Sequence, residues 1–412
     1  MSADPQLTTL RAALPVIAAG GYFNSGYTGP LCAPAHEAVV ATSAREFGTG
    51  RMGAAARAIR DAVQGSARRR VARLLGAAED EVALTHHTTD GMNVIAHGLD
   101  WRPGDNAVTT KVEHKGGLLP LGVLRDRRGV ELRTVDWTPG EPQRELPRRL
   151  AAAIDGRTRL VVLSHVSYVD GGVLDLAPVI EAAHRHGAFV AVDGAQSAGV
   201  LPVDVRALDA DAYAVSGQKW LCGPEGTGAL YLHPRGLDRV AQTWVGWASV
   251  DTWELDGHFV PNPDVSRYEV GTRGLPQIAG FAAALSWHLE EVGTAWAAKR
   301  TADLAEEARQ TLTGRPGLTV LTPDDHTGLL TVRTEVPAET VVRRMAERGF
   351  TVRTIQGYDC VRACVGWFHT ADEVAALTSA LLDATAPDTA ASDTAALDAA
   401  ASDTARPDTA GA

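Results

Sequence analysis

The stretch 189–231 constrains this chain more than any other. An apolar run, Phe189-Val190-Ala191-Val192, stops on Asp193 and passes Gln196. It then reaches Ser216-Gly217-Gln218-Lys219-Trp220, and Gly223-Pro224-Glu225-Gly226 returns the chain into Ala229-Leu230-Tyr231. A short apolar run bounded by polar and turn residues reads as a buried strand, which sets Asp193 at its carboxyl end. Each residue alone has a plainer reading: a carboxylate there commonly caps the next helix, and a lysine is usually a surface group. Together they are the pair that a pyridoxal 5'-phosphate site needs. The lysine forms a Schiff base with the cofactor, and the carboxylate keeps the pyridine nitrogen protonated so that the ring accepts electrons.

The spelling Asp193-Gly194-Ala195-Gln196, Ser216-Gly217-Gln218-Lys219 and Gly223-Pro224-Glu225-Gly226 resembles the class V aminotransferase family. That family includes cysteine desulfurases, cystine and cysteine C–S lyases, and proteins resembling isopenicillin N epimerase. The resemblance runs over residues 22–382. It implies fold type I: an α/β protein with a large pyridoxal-phosphate domain on a mostly parallel, seven-stranded-type sheet, and a smaller C-terminal α/β domain. We divide the chain into an N-terminal helical arm (1–20), the large domain (21–275), connecting helices with the small domain (276–382), and a tail (383–412) expected to be disordered. The tail repeats Asp-Thr-Ala at Asp388, Asp393, Asp403 and Asp408 and has few large apolar side chains with which to pack.

The chain itself supports this order. Strand-like runs and helical patterns alternate from Glu81 to Tyr231, which implies a mostly parallel sheet with helices on both faces. Ligands in such sheets sit outside the carboxyl ends of the strands. Thr88, His114, Ser167, Asp193 and Lys219 are all predicted at that edge. Thr88 and Thr89 follow a strand and open a helix, which suits either a phosphate on the helix N-terminus or a simple N-cap. The glycine-rich run Phe47-Gly48-Thr49-Gly50-Arg51-Met52-Gly53 is a further loop candidate for a ligand. Trp244, Trp247 and Trp253 belong either to the substrate wall or to a packed surface turn.

What the resemblance adds is a set of roles. Thr88 and Thr89 would hold the cofactor phosphate, and Gln196, Ser216 and Gln218 would bind the cofactor with Asp193. His114 would stack on the pyridine and pass protons at Cα with Lys219. Gly271 and Thr272 would reach across a homodimer interface to the partner's phosphate. Arg362 would grip the substrate α-carboxylate with its planar fork, with Arg353 and Asn24 beside it. Relatives often carry Asn where Tyr168 stands.

Two departures bear on the reaction. Desulfurases carry a mobile loop with a nucleophilic cysteine between the two arginines; here only Thr354-Ile355-Gln356-Gly357-Tyr358-Asp359-Cys360-Val361 separates Arg353 from Arg362. Gln218 also replaces the histidine that desulfurases place before the lysine. A persulfide mechanism needs a thiolate that reaches the substrate sulfur and then carries it outward. The expected activity is therefore a C–S lyase on a cysteine S-conjugate, of a kind met in bacterial secondary metabolism. Decarboxylation-coupled oxidative deamination of an S-conjugate, or an amino-acid epimerase or aminotransferase, are the alternatives.

Composition excludes other classes. A net charge of −11 argues against a nucleic-acid surface, and no run reaches the ~20 apolar residues of a membrane helix. Four scattered cysteines form neither a disulfide framework nor a zinc cluster, so no metal is expected. The N-terminus lacks a basic region and a long apolar core, so the chain is read as cytoplasmic, with an amino acid as substrate and a homodimer as its assembly.

Overall fold

The computed structural model describes residues 5–386; the Asp-Thr-Ala-rich tail lies outside the described residues. The main sheet contains β1 (Val82–Thr85), β2 (Asn106–Thr110), β3 (Glu131–Val135), β4 (Thr158–Ser164), β5 (Phe189–Asp193), β6 (Ala212–Ser216) and β7 (Gly228–Leu232). Its spatial order is β1-β7-β6-β5-β4-β2-β3. β3, β2, β4, β5 and β6 pair in parallel, and β7 runs antiparallel between β6 and β1. Strands buried on both faces read as continuous apolar runs, and alternate residues serve opposite layers. Val161, Leu163, Val190 and Val192 pack into one core; Leu160, Val162, Phe189 and Ala191 pack into the other. Only β3, at the edge, stays half exposed.

A separate hairpin pairs β8 (Val250–Trp253) with β9 (Phe259–Pro261). The smaller sheet holds β10 (Leu318–Val320), β11 (Leu329–Thr334), β12 (Arg353–Thr354) and β13 (Val361–Cys364), antiparallel in the order β10-β11-β13-β12. It shares a core with the helices Thr294–Leu312, Ala338–Glu347 and Ala371–Ala384. Its register sets Arg353 directly opposite Arg362, and Arg362 opposite Thr331.

Several local expectations change. The N-terminal arm is two helices, Pro5–Ala12 and Pro15–Ala18, because Pro15 lacks an N–H and pushes Leu14 out of the helical region. It docks by burying Leu7, Leu10, Leu14 and Ile17 and by an Arg11–Glu373 pair at 2.7 Å. The helix Ala33–Thr49 takes in the first three residues of the glycine-rich loop candidate, 47–49, and leaves a loop at 50–53. The last helix extends to Ala384, past the boundary drawn at 382.

Candidate active site

A cleft of about 410 Å³ opens at the carboxyl edge of the main sheet, facing β12 and β13. Its floor is built by strand ends. Asp193 ends β5 almost fully buried, with Oδ1 accepting the Ala195 N–H at 2.9 Å. Ser216 ends β6, and its hydroxyl meets the Thr88 hydroxyl at 2.7 Å and accepts the Thr88 N–H at 3.2 Å. Thr88 starts the helix Thr88–Gly98, whose N-terminus carries positive partial charge; its Thr88 and Asp90 N–H groups are taken by Ser216 and His87. Gln196 is committed on both ends: Nε2 donates to the Gly26 carbonyl at 2.8 Å, and Oε1 accepts the Trp220 indole N–H at 2.9 Å.

Lys219 lines the cleft, its amine without a hydrogen bond or ion pair to another described residue. Burial pulls its amine down to about 8, against the pull of the Asp193 carboxylate. His114 caps the helix Lys115–Arg128, its Nδ1 accepting the Gly116 N–H at 3.0 Å. That bond leaves the proton on Nε2. Burial lowers the ring's pKa, so it is neutral near pH 7. Behind it, Glu113 is buried and accepts the N–H groups of His114 at 2.7 Å and Ser164 at 2.6 Å, together with the Ser164 hydroxyl. Burial first, and Asp193 second, push the Glu113 carboxyl up to about 8.

The opposite wall carries two guanidinium groups. Arg362 is 1% exposed, yet no carboxylate pairs with it among the described residues. Nη1 donates to the Tyr168 carbonyl at 2.5 Å, and Nε is buried with no partner. Burial lowers its pKa. Arg353, also without an acid partner among the described residues, lies over the Tyr27 ring at 4.7 Å. A Cβ at Gly26 would come within 2.6 Å of Leu329 and 3.0 Å of Arg362 Nη2, so only glycine lets this segment pass. Tyr168 meets His114 edge-on, centroids 5.1 Å apart, and burial pushes its phenol up to about 12. Between the arginines the chain makes a tight turn, closed by the Ile355 N–H on the Cys360 carbonyl at 3.2 Å. The turn is tied to the main-sheet half by a Lys115–Gln356 contact and by the Tyr358 hydroxyl on the Lys111 carbonyl at 3.2 Å. Cys360 is fully buried, and burial raises its thiol to about 11.

The model of the family described as aminotransferase class-V matches residues 22–377. A probable cysteine desulfurase from Methanothermobacter thermautotrophicus is 30% identical over 332 residues, covering 76% of this chain and 82% of that one. A cysteine desulfurase from Escherichia coli O127:H6 is 33% identical over 320 residues, covering 73% and 77%. Among solved structures, the cystine C–S lyase C-DES in complex with its reaction product cysteine persulfide superposes with a TM-score of 0.86 at 31% identity, covering 91% of this chain and 100% of that one. The chain belongs to the class V aminotransferase family. It is a fold type I, pyridoxal 5'-phosphate-dependent enzyme of the cysteine desulfurase and C–S lyase kind.

The cleft fits the cofactor of this family. Two hydroxyls and a helix N-terminus suit a phosphate, and Asp193 and Lys219 line the same space. Gln218 keeps a buried amide oxygen without a partner; the amide turned over would offer its N–H₂ there.

Of the predicted site residues, Thr88, Thr89, His114, Asp193, Gln196, Ser216, Gln218, Lys219, Arg353 and Arg362 line this one cleft. Others do not. Asn24 lies behind the wall, where its carbonyl caps the turn to Tyr27 and Thr28, and Gly26 and Tyr27 face the cleft instead. Ser167 spends its hydroxyl on the turn N–H groups of Val169 and Asp170, which brings Tyr168 to the cleft. Residues 47–53 do not line it. Gly271 and Thr272 line a second cavity of about 630 Å³, with Trp244 and Arg273. Buried Glu269, bonded to Arg68, Arg273 and the Leu84 N–H, fixes that segment against β1. Trp247 and Trp253 are solvent-exposed. Sequence reading missed Tyr27, Lys115, Ile355 and Gln356 as wall residues; only their adjacency to Gly26, His114 and Arg353 hinted at it. Among the described residues no helix is long and apolar enough to cross a membrane, and no His, Cys, Asp and Glu group is arranged to hold a metal.

Proposed function

We propose that the protein is a C–S lyase that splits a cysteine S-conjugate by β-elimination. With water, the conjugate gives the free thiol, pyruvate and ammonia, which balances without an oxidant. The observation that carries this reading is the tight turn 355–360 with its buried Cys360: the thiol has neither the reach nor the ionisation of a sulfur acceptor.

Bound pyridoxal phosphate supplies a protonated aromatic ring that takes up electron density from Cα. Asp193 holds the proton on the pyridine nitrogen. Thr88, Thr89, Ser216 and Gln218 hold the phosphate, and Gly271 and Thr272 complete that pocket from the partner in a homodimer. Arg362 takes the α-carboxylate with two parallel hydrogen bonds and so sets the direction of the Cα–H bond. Arg353 supports the substrate side. Lys219, kept partly neutral by burial, accepts the Cα proton, and neutral His114, its proton on Nε2, would stack on the ring. The Tyr27 and Tyr168 rings border the space left for the sulfur substituent.

The test is to incubate the holoenzyme with a series of S-substituted cysteines and detect products by mass. Thiol, pyruvate and ammonia in equal amounts are expected. An intact thioether that has lost CO₂ would establish decarboxylation instead, and racemised or transaminated substrate would establish the epimerase or aminotransferase reading.

A further inference from the structure

Behind Asp193 lies a buried polar chain that the reaction above does not use. Ser197 donates its one hydroxyl hydrogen to the Gly194 carbonyl at 3.1 Å. Its oxygen is therefore the acceptor in the close contact with the Tyr213 hydroxyl. The tyrosine hydrogen is then spent, so its oxygen accepts from His165 Nδ1 at 2.8 Å. Ser197 and Tyr213 are fully buried and His165 nearly so. The Tyr213 ring also packs on the backbone of the same turn: a Cβ at Gly194 would come within 2.0 Å of it. The His165 N–H holds the Asp193 carbonyl at 3.0 Å, and the Gly194 N–H is held by the Ala214 carbonyl at 2.8 Å. Asp193 has no ion-pair partner among the described residues, so the aim of its carboxylate is set by this turn and by the Ala195 N–H.

We propose that Tyr213 is a positioning residue for Asp193: with Ser197 and His165 it forms a one-way hydrogen-bond chain that fixes the turn carrying the carboxylate. Burial supports a neutral chain, because it raises the Tyr213 phenol and lowers His165 to about 4. The proposal rests on the assignment of Asp193 to the pyridine nitrogen.

Its test uses the full-length holoenzyme and three variants, Tyr213→Phe, Ser197→Ala and the pair together, with Asp193→Asn as reference. Visible absorbance is followed against pH, cofactor affinity is measured on the apoprotein, and thermal melting is recorded. A carboxylate held off its aim stabilises the protonated pyridine nitrogen less well. The missing positive charge lets the neighbouring imine proton persist to higher pH. Each single variant is expected to move the pH midpoint of the visible band upward, in the direction of Asp193→Asn, and to weaken cofactor binding about tenfold, as expected for one lost hydrogen bond. The pair is expected to do no more than either single change, because both cut one chain. Unchanged midpoints and affinity with only a lower melting temperature would reduce Tyr213 to core packing and overturn the proposal. Should Tyr213→Phe fail to fold, Ser197→Ala carries the same prediction. A wild type that binds the cofactor while Asp193→Asn leaves the midpoint unmoved would remove the underlying assignment, and the proposal with it.

Discussion

The two sides of the cleft are built on opposite principles. On the main-sheet side, nearly every polar group is matched by the chain itself: Ser216 with Thr88, Gln196 with Gly26 and Trp220, Glu113 with Ser164 and the His114 N–H. On the small-sheet side, two guanidinium groups stand directly opposite each other on neighbouring strands, with no acid partner among the described residues. Like charges at that register repel, and a buried unpaired charge costs several kcal/mol. A satisfied surface needs nothing more to hold its shape, which suits a cofactor that stays. An uncompensated one is completed by an anion that comes and goes, which suits a substrate carboxylate. Besides the Gln218 amide oxygen, the exception on the satisfied side is the Lys219 amine, which has no partner among the described residues and is the group a covalent cofactor engages.

Removing that exception has the largest effect. Lys219→Ala is expected to abolish the visible band of the bound cofactor and to lower the elimination rate by ~10³-fold or more, measured by absorbance and pyruvate release; a variant that stays yellow and active would break the contrast. Next is the unsatisfied side. Arg362→Met should raise KM about 100-fold, a loss of about 3 kcal/mol in carboxylate binding. The same change should leave the apoprotein as stable as the wild type or more so, because a buried unpaired charge is gone; a large drop in melting temperature would mean that the bond to the Tyr168 carbonyl outweighs the cost of the buried charge and that the wall is not uncompensated. Third, covalent capture of the cofactor by the apoprotein should follow the neutral form of Lys219. The amine's pKa is lowered to about 8, so protonation blocks it below that value. The capture rate should rise about tenfold between about pH 7 and pH 9 and then level. A rate still climbing steeply above that would place the amine near its ordinary value. The smallest effect is reserved for the tight turn: Cys360→Ala should change turnover less than about twofold, since the thiol is buried and protonated.

What could be read in the sequence follows the same divide. The floor was legible because parallel buried strands write themselves as apolar runs, and the residues at their ends, Asp193 and Ser216, with Thr88 at the helix start after β1, fall at the ligand edge by topology. The motif Ser216-Gly217-Gln218-Lys219 needs no long-range information. The other wall was only partly legible. Arg362 sits on a strand with an apolar spelling, but β12 has two residues and shows no period, so the register that opposes Arg353 to Arg362 appears only in the folded sheet. The Lys115–Gln356 contact joins positions 241 apart. Ser167 was displaced from the cleft by turn hydrogen bonds of its hydroxyl, for which neighbouring Asp170 was the only local sign, and Asn24 enters its turn through its backbone carbonyl, which no side-chain pattern announces. Helix ends also shifted: Pro15 split the N-terminal arm.

The most direct test of the account concerns sulfur. After turnover of cysteine or cystine by the holoenzyme without reductant, intact mass spectrometry should find the protein unchanged, with the released sulfur species in solution together with pyruvate. A protein heavier by one sulfur atom, with alanine as the product and the added mass lost in Cys360→Ala, would contradict it.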